Sequence, residues 1–143
     1  MVFLKTRTEI NKIRDSGKIV AEVLARVAEA IRPGVSTFEL DQMAESLINS
    51  YPDSRAAFKG YGGFPNVLCT SVNHEVVHGI PSKDKILKEG DLLSVDVGVY
   101  HKGYYADAAA TFCVGRYQGT AKRLIEAGRR ALAAGIEQAV ANN

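Results

Sequence analysis

Asp96 and Asp107 stand eleven positions apart in the stretch VDVGVYHKGYYAD, residues 95–107. A carboxylate inside a run of valines needs a reason, because a charge taken out of water is costly unless paired. Alternate residues of a strand share a face. Leu93, Val95, Val97 and Val99 form the core side, and Leu92, Ser94, Asp96, Gly98 and Tyr100 form the other. The short polar stretch His101-Lys102-Gly103 reads as the turn of a hairpin. If His101 and Lys102 are the loop, residue 96 lies opposite 107. If Lys102 and Gly103 are the loop, 98 faces 107 and 96 is its diagonal neighbour. Both registers place the two carboxylates on one face, with Cβ atoms about 5–8 Å apart. Like charges so placed destabilise a sheet and resist joint ionisation unless a cation lies between them. A divalent metal resolves the conflict, since carboxylate oxygens ligate at about 2.0–2.2 Å and bridge metal pairs in hydrolytic centres. The spacing alone leaves a second reading open, two solvated aspartates on an edge hairpin.

The elements that must position this pair are legible as patterns. Apolar residues at Ile10, Ile13, Val20, Leu24, Val27 and Ile31, with Gly17 in step, mark one helical stripe. Thr6 and Glu9 make a capping box at its start, and Arg32-Pro33-Gly34 ends it. Ser36 and Glu39 open a second helix whose stripe is Leu40, Met43, Ala44, Leu47 and Ile48. Residues 54–66, with three glycines and Pro65, read as loop, and Val67 to Val72 as a short strand. Residues 92–100 and 104–114 are the hairpin strands. A last helix runs from about Gln118 to Ala141, with Gly128 and Gly135 on its apolar stripe, where close packing on the sheet is expected. The expected fold class is α+β, an antiparallel sheet with helices on one face, as one domain over residues 1–143.

Composition narrows the function. Net charge is +2 and the basic residues are interspersed with acids, as in Lys12, Arg14, Asp15 and Lys18, so a specific nucleic-acid surface is not expected. The start MVFLKTRTEI is too short an apolar patch for a signal peptide, and no run approaches a membrane span. The two cysteines, Cys69 and Cys113, form neither a metal pair nor a disulfide framework. A cytoplasmic protein with reduced thiols is expected.

The segments GYGGFPNVLCTSVN (60–73), NHEVVHGIP (73–81) and LKEGDLLSVDVGVYHKGYYADAAATFCVG (87–115) resemble the methionine aminopeptidases, most closely their bacterial type. The resemblance extends through the flanking helices and covers essentially the whole chain. It implies the N-terminal half of the family's pita-bread fold. It implies that Asp96 and Asp107 ligate a dinuclear centre of cobalt, manganese, iron or zinc. His78 matches a histidine beside the metals that contacts substrate and assists proton transfer. Phe58, Tyr61, Phe64 and Cys69 match positions around the methionine side chain, Phe64 standing where a tyrosine is common. The implied activity is removal of an N-terminal methionine from peptides and nascent proteins. The family's remaining ligands, a histidine and two glutamates, come from a second half with no counterpart in these 143 residues. Three outcomes are therefore expected to compete: a half-enzyme that is weak or inactive alone, a homodimer with four aspartates around one site, and an inactive module that binds peptide or protein. Self-association or a missing half is expected to cover the Asp96 side of the sheet.

His74 and His101 match no functional position and read as surface or turn histidines. Gly60-Tyr61-Gly62-Gly63 is not a phosphate loop, because it lacks the lysine and Phe64-Pro65 follows where a helix would begin.

Overall fold

Both capping boxes form. In the computed structural model, which describes residues 3–141, Thr6 accepts from the Glu9 N–H at 3.3 Å and Glu9 accepts from the Thr6 N–H at 2.8 Å. Ser36 and Glu39 do the same at 3.2 and 2.8 Å. Each cap contributes about 1 kcal/mol. They start α1 (Arg7–Ala30) and α2 (Thr37–Ser50). Met1 and Val2 of the apolar start lie outside the described residues.

The buried faces are rotated from the expected stripes. The buried residues of α1 are Ser16, Ile19, Val20, Val23 and Val27, while Ile10 is exposed. Ser16 faces the sheet and donates its hydroxyl to the Tyr104 carbonyl at 3.0 Å. Periodicity allowed either neighbouring stripe, and contact with the sheet selects this one. In α2, Leu40, Ala44 and Ile48 are buried as expected, but Met43 is exposed and Asp41 is buried in the same helix.

Four antiparallel strands form the sheet: β1 (Ser54–Ala56), β2 (Leu68–Val72), β3 (Leu92–His101) and β4 (Tyr104–Cys113). β3 is the spine. β4 pairs with its full length, from Leu92↔Cys113 to His101↔Tyr104. β2 and β1 share the opposite edge, β2 beside residues 93–97 and β1 beside residues 99–101. β1 falls in the stretch expected to be loop; three residues are too few to show an alternation. Leu93, Val95, Val97 and Val99 are fully buried beneath α1 and α2, which cover this face.

The turn decides the register. Lys102 (φ +47°) and Gly103 (φ +94°) are both left-handed, as a two-residue primed turn requires. Glycine meets that demand where His101-Lys102 would place two side-chain-bearing residues in it. Gly98 therefore faces Asp107, and Asp96 faces Ala109.

The last helix, α3 (Gly119–Glu137), departs most from expectation. Ile125 is its one buried residue, while Leu124, Leu132 and Ile136 are at least 60% exposed. Nothing lies within 4 Å of where a Cβ on Gly128 or Gly135 would stand, so neither glycine marks close packing. Among the described residues no helix is long and apolar enough to cross a membrane.

Candidate active site

The register builds a set of side-chain rows on the face opposite the helices. Cys69, Asp96 and Ala109 form one row, and Gly98 and Asp107 form the next toward the turn. On the other side of Asp96, Ser71, Ser94 and Thr111 share a row, and the Ser94 and Thr111 hydroxyls are 2.8 Å apart. The two aspartates are diagonal neighbours, within about 7–8 Å between Cα atoms by strand geometry.

Asp96 is half-buried and Asp107 exposed. The Oδ1 atom of Asp96 is buried with no hydrogen-bond partner. Burial, then the charge of Asp107, pushes the Asp96 carboxyl above its ordinary pKa, while His78 acts in the opposite direction. An orphaned carboxylate oxygen beside a second carboxylate suits a divalent cation. Among the described residues no group of three or more His, Cys, Asp or Glu side chains is arranged to hold a metal ion. Asp96 and Asp107 are two carboxylate side chains, fewer than the four groups of a closed metal site.

Cys69 lies directly across from Asp96 and is buried. Burial, followed by the Asp96 and Asp107 charges, pushes its thiol up to about 11. A protonated, buried thiol of this kind packs as a small apolar group.

His78 is brought to this face by backbone geometry. Its φ is +58°, a left-handed conformation that costs a non-glycine residue about 1–3 kcal/mol unless its surroundings hold it. The next residue supplies the hold. The Gly79 carbonyl accepts from the Thr70 N–H at 2.7 Å, and its N–H donates to Ser71 Oγ at 3.0 Å. A Cβ on Gly79 would stand 2.3 Å from the Thr70 carbonyl oxygen, so only glycine fits. His78 is exposed, and its position next to Gly79 puts it beside the edge of β2 that carries Thr70 and Ser71.

Phe58 lies over Gly98, its ring 2.6 Å from where a Cβ there would be. It walls the row that carries Asp107. Residues 58–64 close on themselves, with the Tyr61 N–H donating to the Phe58 carbonyl at 2.9 Å and the Gly60 N–H to the Phe64 carbonyl at 2.8 Å. Phe64 is half-buried. Tyr61 is 82% exposed, in the 3-10 turn of this loop. The sheet register and the Phe58 contact with Gly98 bring Asp96, Asp107, Cys69 and Phe58 to one face, with His78 on the segment that flanks β2 and Tyr61 exposed in the 58–64 loop. His74 is exposed in a turn, and His101 ends β3 with its Nδ1 2.7 Å from Ser54 Oγ.

One anchoring residue escaped the sequence reading. Asp41, 3% exposed on α2, accepts from the backbone N–H groups of Val67 and Leu68 at 2.9 and 2.8 Å and from the Asn66 side chain at 2.8 Å. It fixes the start of β2, and with it Cys69, against the helix layer. The available signal was an acid at a core-facing step of α2, between Leu40 and Ala44.

The model of metallopeptidase family M24 matches residues 11–143. The chain belongs to this family. The methionine aminopeptidase of Clostridium acetobutylicum is 47% identical to this M24 chain over 143 residues, all of this chain and 57% of the relative. The methionine aminopeptidase 1 of Bacillus subtilis is 41% identical over 97% of the chain and 55% of its own length. Among solved structures, the methionine aminopeptidase from Rickettsia prowazekii superposes with a TM-score of 0.91 at 38% identity, covering 95% of this chain and 54% of its own. The chain spans about half the length of the relatives it matches. Its antiparallel sheet and helices are half of the M24 pita-bread fold.

Proposed function

We propose that this chain supplies the methionine-binding wall and two carboxylate ligands of a metal-dependent methionine aminopeptidase. The observation that carries the reading is the juxtaposition of Asp96 and Asp107 on one open sheet face, with Asp96 Oδ1 lacking a partner. Asp96 and Asp107 are the residues that would hold divalent metal, and cobalt, manganese, iron and zinc all suit such a site. When bound, the metal supplies Lewis-acid polarisation of the scissile carbonyl. Phe58, Tyr61, Phe64 and Cys69 offer the methionine thioether an apolar wall. His78, held beside the carboxylates, orients substrate and moves a proton. The substrate is a peptide or nascent protein beginning with methionine, handled in the cytoplasm.

The open face and the exposed side of α3 support completion of the site by a second body, either the remainder of a longer polypeptide or a second copy of this chain. A second copy would place four aspartates around one site. An inactive peptide-binding module is the remaining reading. A chimera separates them. This chain, grafted in place of the matching 57% of the Clostridium acetobutylicum protein, is expected to release methionine from Met-Ala-Ser with cobalt or manganese. Asp96→Asn and Asp107→Asn should each lower that release at least about a hundredfold. A folded chimera that releases no methionine contradicts the assignment. Release by the unfused chain at the chimera's rate would favour the homodimer.

A further inference from the structure

The row beyond Asp107 carries a cation that the catalytic reading does not use. Arg55 of β1 pairs with Tyr100 of β3, and Tyr100 pairs with Tyr105 of β4. All three side chains stand on the face that bears Asp96 and Asp107. The Arg55 guanidinium lies over the Tyr100 ring, 4.0 Å from its centroid, and its Nη2 donates to Tyr105 Oη at 3.4 Å. Tyr100 and Tyr105 meet edge to face, with centroids 4.9 Å apart at 61°. Two aromatic rings thus hold the guanidinium plane in place. Among the described residues Arg55 has no carboxylate within ion-pair distance. It borders a surface recess of about 560 Å³, lined also by Asp53, Ser54, Tyr100, Lys102 and Gly103. An exposed, stacked arginine that spends one Nη2 donor on Tyr105 and carries no carboxylate partner is suited to bind a planar carboxylate.

Distance determines which carboxylate. Tyr105 and Asp107 are two residues apart on β4, so their rows are about 6.8 Å apart. An extended peptide advances about 3.3–3.6 Å per residue. With its amino terminus at the Asp107 end of the pair and the peptide running along the sheet toward the turn, the third residue arrives at the arginine row. We propose that Arg55, held by Tyr100 and Tyr105, binds a carboxylate carried by the third residue of the peptide substrate. That carboxylate is either an acidic side chain or the terminal carboxylate of a tripeptide. This rests on the aminopeptidase reading, which places the substrate amino terminus at the aspartates.

The test is peptide binding to the 143-residue chain, followed by NMR at Arg55 Nε–H and the tyrosine rings. Met-Ala-Glu-Ser-amide is compared with Met-Ala-Gln-Ser-amide, and Met-Ala-Ser with its amide. The acid of each pair is expected to bind about fivefold tighter, since a partly exposed ion pair is worth a modest factor. The difference should shrink in high salt. Arg55→Gln should abolish it, Arg55→Lys should keep part of it, and moving the glutamate to the sixth position of a longer peptide should remove it. A preference in the first pair alone assigns the side chain, and in the second alone the terminal carboxylate. Equal affinities in both pairs, no binding of any peptide, or a preference that survives Arg55→Gln overturns the proposal. A cobalt titration of the same samples reads the Asp96–Asp107 site separately. Cobalt binding without carboxylate preference sinks the arginine site alone. Carboxylate preference without cobalt binding keeps Arg55 as a carboxylate-binding group but overturns its assignment to the third residue of an aminopeptidase substrate, together with the peptidase reading.

Discussion

Asp96 is poorly suited to the metal-free sheet in which it sits. Its Oδ1 has no partner, and burial and Asp107 both oppose its ionisation. A carboxyl whose folded-state pKa is raised is tolerated below the unfolded value, and its ionisation costs stability as pH climbs through the folded value. With a chelator present, Asp96→Asn is therefore expected to unfold at a higher temperature than the parent at pH 7, by about 0.5–1 kcal/mol of stability. The gap should close toward pH 4, near the ordinary aspartate value of about 3.9. Thermal melts at both pH values check this, and a parent as stable as the variant at pH 7 contradicts it. The juxtaposition itself is legible in the sequence, because period-two alternation assigns both aspartates to one face whichever even loop forms. The choice between registers depended on backbone dihedrals at Lys102 and Gly103, and the sequence offered two candidate pairs for that turn.

At the level of elements, the site depends on attachments that leave weak traces in sequence. Asp41 ties α2 to the first residues of β2 through two backbone N–H groups and Asn66. Asp41→Ala would leave those buried donors unpaired and is expected to cost about 2–4 kcal/mol, measured by urea unfolding. A loss under about 1 kcal/mol would show that water or relaxation replaces the contact. Gly79→Ala is expected to displace His78, because the new methyl group would meet the Thr70 carbonyl at 2.3 Å. An unchanged His78 imidazole NMR signal in that variant would contradict the role given to Gly79. The capping boxes at Thr6 and Ser36 and the β3–β4 alternation were readable because each is a local rule. The rotated stripe of α1, the buried Asp41 and three-residue β1 were not, because the sheet, not the segment, decides them.

Across the whole molecule, one face of the sheet is packed and the other is open. α3 extends the open character, with Leu124, Leu132 and Ile136 at least 60% exposed. A stripe of this kind on a helix is a surface for association. Sedimentation of the isolated chain is expected to show dimers or larger species at high micromolar concentration, weakened by Leu132→Glu with Ile136→Glu. A clean monomer throughout that range contradicts it. Here the sequence misled in a specific way: an amphipathic period shows that a helix has an apolar face, and says nothing of whether the covering surface lies within the same 143 residues. The central claim, that Asp96 and Asp107 grip a shared divalent ion, is tested most directly by cobalt titration of the chain, followed by its visible absorption. Saturable binding in the parent, weakened at least about tenfold in both Asp96→Asn and Asp107→Asn, is the predicted result. Equal affinity in all three proteins, or no binding in any, would contradict it.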